Sequence, residues 1–148
     1  MSEPLSKRRL KLWIRLLRTT REMEAELREW IRIAHDSTLP RFDVLAALHR
    51  ADGPLTMSAL SRQLLVSNGN VTTIVDRLVS DGWVTRTPLA TDRRTMHVAL
   101  TALGRARFEA QAAEHEAHVD RLLAGVTHAD LDALQALLPK LSARKAER

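Results

Sequence analysis

A mainly α-helical fold carrying one small β-hairpin is what this chain predicts, on three observations. Apolar residues recur at helical spacing on both flanks of the sequence, from Leu10 to Ala34 and again from Thr101 towards Leu141. Between the flanks, residues 56 to 104 read as helix, tight turn, helix, strand, arginine-tipped loop, strand and helix in unbroken succession. Hydrophobic residues make up 45% of the chain but aromatic ones only 3%, so the core must be aliphatic. The order of elements in the central stretch is that of a winged helix-turn-helix. Recognition of duplex DNA is therefore the first functional expectation.

Each element has its own local reason. Leu10, Trp13, Ile14, Leu17, Met23, Leu27, Trp30, Ile31 and Ala34 form a helical pattern over about residues 6–34. A second helix is predicted from about Leu39 to Ala51, with Phe42, Leu45, Ala46 and Leu48 inward and Asp52-Gly53-Pro54 ending it. Thr56 is placed to cap a short helix by accepting from the amides of Met57-Ser58-Ala59, with Leu60 and Leu64 on one face. Leu65-Val66-Ser67 makes the turn, with Ser67 as the expected cap of the next helix. There Val71, Ile74, Val75, Leu78 and Val79 form the buried stripe, and Gly82 supplies the left-handed residue that stops it. The opposite face carries Asn68, Gly69, Asn70, Thr72, Thr73, Asp76 and Arg77, whose short amides and hydroxyls can approach base edges and phosphates.

Two strand-like runs follow, Trp83-Val84-Thr85-Arg86-Thr87 and Thr95-Met96-His97-Val98-Ala99-Leu100, joined by Pro88-Leu89-Ala90-Thr91-Asp92-Arg93-Arg94. This is a hairpin with a basic tip. Thr101 then caps a long helix through about Ala124, and Gly104 in its first turn leaves room for another backbone. Thr127 caps a last helix carrying Leu131, Leu134, Leu137, Leu138 and Leu141, in which Pro139 predicts a kink. At 148 residues the chain fits one domain, with a winged core over about 39–104 flanked by helices over about 6–34 and 105–146.

Charge agrees with a polyanionic partner. The 23 basic residues outnumber 18 acidic ones, and the excess sits in residues 1–34 and in residues 56–104. Several other classes are disfavoured. No nucleophile elbow, phosphate-binding glycine loop or His-Glu-x-x-His motif is present, and His115-Glu116-Ala117-His118 is one residue short of the last, so an enzyme is not expected. No cofactor is implied. The absence of cysteine removes thiol sensing, and nothing marks Met23, Met57 or Met96 as a sensor. His115 and His118, three apart beside Glu114 and Glu116, can share a helix face; no third metal ligand is indicated by the sequence, though folding could bring His35, His49 or His128 near. Alternating charged and polar residues on an exposed helix explain the cluster adequately, and the metal reading is the lesser one. The run Ser6-Lys7-Arg8-Arg9-Leu10-Lys11 lacks the apolar core of a signal peptide, and no segment reaches a bilayer-spanning length. A membrane-surface or transit helix is the lesser reading of that run, and the cytoplasm the default.

These residues also carry a resemblance. Leu60, Val71-Thr72, Asp76-Arg77-Leu78, Asp81-Gly82-Trp83-Val84, Arg86, Asp92-Arg93-Arg94, Leu100-Thr101 and Gly104 together resemble the MarR family of bacterial transcription regulators. The Asp-x-Arg wing motif followed by Leu-Thr-x-x-Gly is specific as a combination. The opening Ser67-Asn68-Gly69-Asn70 departs from the usual charged or serine-rich start, which bears on the operator read.

The resemblance implies a homodimer built through the N- and C-terminal helices, which are too long and apolar for one small winged domain. It implies double-stranded DNA as partner, with Ser67, Asn68, Asn70, Thr72 and Thr73 in the major groove and Arg77 near a phosphate. Arg94 would reach the minor groove, oriented by a salt bridge from Asp92, with Arg93 directed to the backbone or to solvent and Arg62 to a phosphate or to solvent. Half-sites about 10 bp apart would make the operator a near-palindrome. It implies further an effector pocket lined by the first, second and fifth helices. The opening Ser67 to Thr72 with Leu39-Pro40-Arg41-Phe42 is similar to members controlling aromatic-acid breakdown, whose effectors are phenolic acids or aryl-coenzyme A thioesters. Trp13, His35, Arg41 and Phe42 would then supply stacking and anion contacts. An effector-released repressor is the main expectation; an effector-independent architectural DNA-binding protein and a metal-responsive regulator are the alternatives.

Overall fold

The computed structural model describes residues 2–65 and 70–142. The chain divides into two compact units, residues 1–115 and 116–148. The first contains α1 (Leu5–His35), α2 (Leu39–Ala51), β1 (Leu55–Thr56), α3 (Met57–Gln63), α4 (Val71–Ser80), β2 (Val84–Pro88), β3 (Met96–Leu100) and most of α5 (Ala102–Leu122). The second contains the end of α5 and α6 (His128–Ser142). This is the mainly helical winged helix-turn-helix that the sequence predicts.

The aliphatic core of the first unit gathers around α2. Val44, Leu45, Ala47 and Leu48 are buried there against Leu60 of α3, Val75 and Leu78 of α4, Val84 and Val98 of the hairpin, and Phe108 of α5. Each fully buried leucine or valine contributes about 1.5–3 kcal/mol. Trp30, Ile31 and Leu39 form a second cluster joining α1 to α2, and Phe42 packs against both clusters. Val79, the last residue of the expected α4 stripe, is partly exposed at the end of the helix.

Helix ends are set by side chains. The Thr56 hydroxyl accepts the Ala59 N–H at 3.1 Å, as expected for the cap of α3. The cap of α4 is Asn70, whose Oδ1 accepts the Thr73 N–H at 3.1 Å, so the expected cap at Ser67 is corrected by three residues. Asn is as good a cap as Ser, and its position immediately before the apolar stripe decides between them. At the other end of α4, Gly82 adopts φ +77 while the Gly82 N–H reaches Val79 O and the Trp83 N–H reaches Leu78 O, both at 3.0 Å. This double closure is a Schellman motif. It engages the Trp83 N–H, and the ladder of β2 starts at Val84, one residue later than the strand-like run.

The sheet has three antiparallel strands in the order β1-β3-β2. Val84 faces Leu100 and Arg86 faces Val98 across the hairpin, while Leu55 faces Val98 from the other side. On α5, the Thr101 hydroxyl accepts the Gly104 N–H at 2.9 Å and donates to Gly82 O at 2.7 Å. A Cβ on Gly104 would lie 1.8 Å from the Trp83 carbonyl oxygen, which is the close backbone approach expected of this glycine. Thr127 and Asp130 cap α6 reciprocally: Thr127 Oγ1 accepts the Asp130 N–H at 3.2 Å and the Asp130 carboxylate accepts the Thr127 N–H at 3.0 Å. That backbone bond, then the Thr127 hydroxyl, holds the Asp130 carboxyl below its ordinary pKa. α6 runs through Pro139 to Ser142, so the helix is not ended there.

Both flanking helices present apolar surface. Leu5, Leu10, Leu12, Trp13, Ile14 and Leu16 are exposed on α1, as are Leu131, Leu134, Leu137, Leu138 and Leu141 on α6. Among the described residues no helix is long and apolar enough to cross a membrane.

Candidate nucleic-acid interface

The exposed face of α4 follows from its buried one. With Val75 and Leu78 turned into the core, Thr72, Thr73 and Arg77 are left at the surface with Asn70. Capping occupies the Asn70 carboxamide oxygen, which leaves its NH2 group for another partner. Ser67 and Asn68 lie outside the described residues. Arg62 is exposed near the end of α3. Asp76 pairs with Arg86 of β2, so the carboxylate on this face is met by a guanidinium from the wing root. Arg86 belongs to the family pattern, but sequence spacing could not show its partner.

The wing tip is folded by Asp92, in a different way from that expected. Its carboxylate accepts the Arg94 backbone N–H and the Thr95 hydroxyl, each at 3.0 Å, while Leu89 N–H donates to Thr95 O at 2.8 Å. Among the described residues no ion pair joins Asp92 to the Arg94 guanidinium, which corrects the salt bridge that the resemblance implied. A short carboxylate reaches the backbone two residues on more readily than the end of a long side chain. Arg93 and Arg94 are both exposed at this braced tip. Two extended cations on a stiff hairpin, beside a helix face of small polar residues, are suited to a charged duplex.

A second ion pair closes the other end of α4. Arg41 of α2 bonds the Asp81 carboxylate, and its guanidinium lies over the Trp83 ring, 5.2 Å from the centroid. Arg41, expected at an effector, has its guanidinium engaged at the C-terminal end of α4 instead.

A groove of about 830 Å³ runs between α1, α2 and α5, lined by Met23, Leu27, Leu39, Phe42, Phe108 and His115 together with Thr20, Glu24, Asp43, Ala46, Arg50, Leu65 and Ala112. Of the four expected effector contacts, Phe42 lines it. Trp13 is 57% exposed and, like Arg41, is not among its lining residues. His35 Nε2 meets Glu114 Oε2 at 2.9 Å, edge-on to Trp30 at 5.5 Å between ring centroids. The His115 ring stands 4.8 Å from Phe42 and 5.9 Å from Trp30, so this histidine packs among aromatic rings. Among the described residues no group of three or more His, Cys, Asp or Glu side chains that could hold a metal ion assembles. Sequence reasoning missed Asp43, which is buried in α2, lines the groove and accepts the Leu65 N–H at 2.6 Å. Its only sequence signal is an acid on the otherwise apolar face of α2.

Comparison with known proteins agrees with this geometry. The family model described as MarR family matches residues 35–95. The regulator PecS of Dickeya dadantii is 31% identical over 68% of this chain and 61% of its own length, so the chain spans about three fifths of the first curated relatives it matches. A mutant MarR from E. coli complexed with operator DNA superposes with a TM-score of 0.77 at 28% identity, covering 94% of this chain and 99% of that one. BpsR of Bordetella bronchiseptica, from a study of the regulation of its DNA binding by 6-hydroxynicotinic acid, superposes at 0.76 with 25% identity, covering 96% and 98%. The relatives are transcription regulators, not enzymes. The exposed α4 face, the arginine-tipped wing and the matched residues all fall in the same segment, and over that segment this chain is similar to the MarR family.

Proposed function

We propose that this protein is a DNA-binding transcription regulator that works as a homodimer and releases its operator when a small effector binds. The observation that carries the reading is the pairing of an exposed polar α4 face with an arginine-bearing wing whose tip is braced by Asp92. Ser67, Asn68, Asn70, Thr72 and Thr73 would read the major groove, Arg62 and Arg77 would meet phosphates, and Arg94, with Arg93 beside it, would enter the minor groove. The whole chain, residues 1–148, would act as one MarR-like domain in the cytoplasm. The exposed leucines of α1 and α6 support a two-fold partner, because apolar stripes of that length are covered when a second copy packs on them.

The groove between α1, α2 and α5 is the proposed effector site, and its aromatic lining suits a flat ring. Aromatic acids and their coenzyme A thioesters are the first compounds to try, as the resemblance implies. Release requires that the effector prefer a conformation whose reading helices no longer match the half-sites. The test is a gel shift and footprint on intergenic DNA flanking the gene, with a panel of those compounds. Protection of a near-palindrome with half-sites about 10 bp apart, lost on adding one compound, is expected. Protection of an asymmetric site by a monomer would overturn the dimeric reading. Binding that no small molecule alters would favour an architectural protein.

A further inference from the structure

We infer that Arg41 is a positioning residue for DNA reading: it fixes the C-terminal end of α4 and the root of the wing against α2 without touching DNA. The inference rests on the reading of the chain as a DNA-binding protein and adds a residue that no contact list for the duplex would include.

Three features single Arg41 out. Its side chain is 14% exposed although it sits in the first turn of α2, where a solvated arginine would be the ordinary expectation. Its guanidinium spans forty residues of sequence to bond Asp81, the C-cap of α4, and lies over Trp83, while its Nε is buried with no hydrogen-bond partner among the described residues. A cation at a helix C-terminus also complements the helix dipole.

The place where it docks is a junction. Asp81 ends α4, the Trp83 N–H closes that end on Leu78 O at 3.0 Å, and the Trp83 carbonyl receives the Thr101 N–H at 3.1 Å. The same carbonyl abuts Gly104 in the first turn of α5. One guanidinium therefore holds α2 to the point where α4, β2 and α5 meet. The reading residues Thr72 and Thr73 lie at the opposite end of α4, so a tilt of the C-terminal end is delivered to them as a displacement. A planar fork that pairs with a carboxylate and stacks on an indole sets both direction and distance, which a flexible ammonium does not.

The test uses the full chain and a duplex selected by the wild-type protein from a random pool, with anisotropy titrations across a salt series and urea unfolding alongside. Arg41→Met should weaken DNA binding about ten-fold while the slope of log affinity against log salt stays unchanged, since no phosphate contact is lost. Arg41→Lys should recover only part of the loss. Asp81→Asn should match Arg41→Met, and the double variant should bind no worse than either alone. Wild-type affinity in Arg41→Met and Asp81→Asn would overturn the inference. So would a slope reduced by about one, which would make Arg41 a direct phosphate contact. An affinity that returns to wild type once corrected for the unfolded fraction would make the role purely structural and overturn it likewise. Failure of the wild-type chain to select any duplex would instead overturn the DNA-binding reading itself.

Discussion

Asp76 and Arg86 form an ion pair that ties the middle of α4 to β2, the strand from which the wing rises. Both side chains are partly exposed, so the pair contributes at most about 1 kcal/mol to folding. Its larger effect is on the charge presented to a duplex. Arg86→Ala should weaken operator binding about ten-fold, because an unpaired carboxylate then faces the phosphates, and Arg86→Ala with Asp76→Asn should recover part of the loss. Anisotropy titrations check this; a double variant no tighter than Arg86→Ala alone would remove the Asp76 charge as the cause.

Asn70 separates capping from reading. Asn70→Ala should lower stability by about 0.5–2 kcal/mol through loss of the cap, whereas Asn70→Asp keeps an acceptor for the Thr73 N–H and should fold about as stably as wild type. DNA affinity should follow the reverse order, with Asn70→Asp the weaker binder because it adds charge beside the phosphates. Urea unfolding and DNA titration of the two variants measure the orders independently.

At the wing, Arg94→Ala should weaken binding and reduce the log–log salt slope by about one if the guanidinium lies against backbone charge. Asp92→Ala should also weaken binding, although it deletes an acidic residue, because the Arg94 N–H and the Thr95 hydroxyl lose the acceptor that folds the tip. Tighter binding by Asp92→Ala would show that removing charge outweighs losing the brace.

Gly104→Ala should cost about 1–3 kcal/mol or more, since the new methyl would overlap the Trp83 carbonyl and backbone on both sides must shift. The midpoint of urea unfolding measures it. A wild-type midpoint would mean that α5 can move away from the wing root at no cost.

The cap of α6 carries a pH dependence of known sign. The Asp130 carboxyl is held below the ordinary carboxylate range by the bond from the Thr127 N–H, then by its hydroxyl, so its contribution is fully present at neutral pH. It is lost as pH falls from about 4 through the depressed value. Circular dichroism of the chain should show an acid loss of helix that is smaller in Asp130→Asn, which lacks the charge at every pH. Identical acid titrations would rule out the cap as the source.

What was legible in the sequence was what local periodicity and capping determine. The helices, the hairpin, the Gly82 stop and the close approach at Gly104 all follow from residues near one another in the chain. Strand β1 was not legible, because two residues, Leu55 and Thr56, become a strand only by pairing with Val98 and His97, some forty positions away. The partners of Arg41, Arg86 and Asp43 were hidden for the same reason: each bond spans two elements whose packing the periodicity does not fix. Asp92 was misread in the other direction. A side-chain salt bridge to Arg94 was expected, but the short carboxylate instead accepts the Arg94 backbone N–H and the Thr95 hydroxyl, as commonly happens with short acids in loops. At the groove, Phe42 lines the wall as expected, but Phe108 and His115, rather than Trp13, supply the other rings.

The seat of the Trp83 carbonyl on Gly104 also limits how this reader can be re-engineered. Substitution confined to the exposed Thr72, Thr73 and Arg77 leaves both sides of that contact native, along with the buried Val75, the Asn70 cap and the Asp76–Arg86 pair, so a new recognition face can be installed there without disturbing the frame. A chimaera whose crossover falls between Trp83 and Gly104 brings together two halves of a backbone contact with no slack for mismatch. Changes of operator preference should therefore accumulate as substitutions on the face of α4 and at the wing tip, while the joint beneath them is inherited as a block.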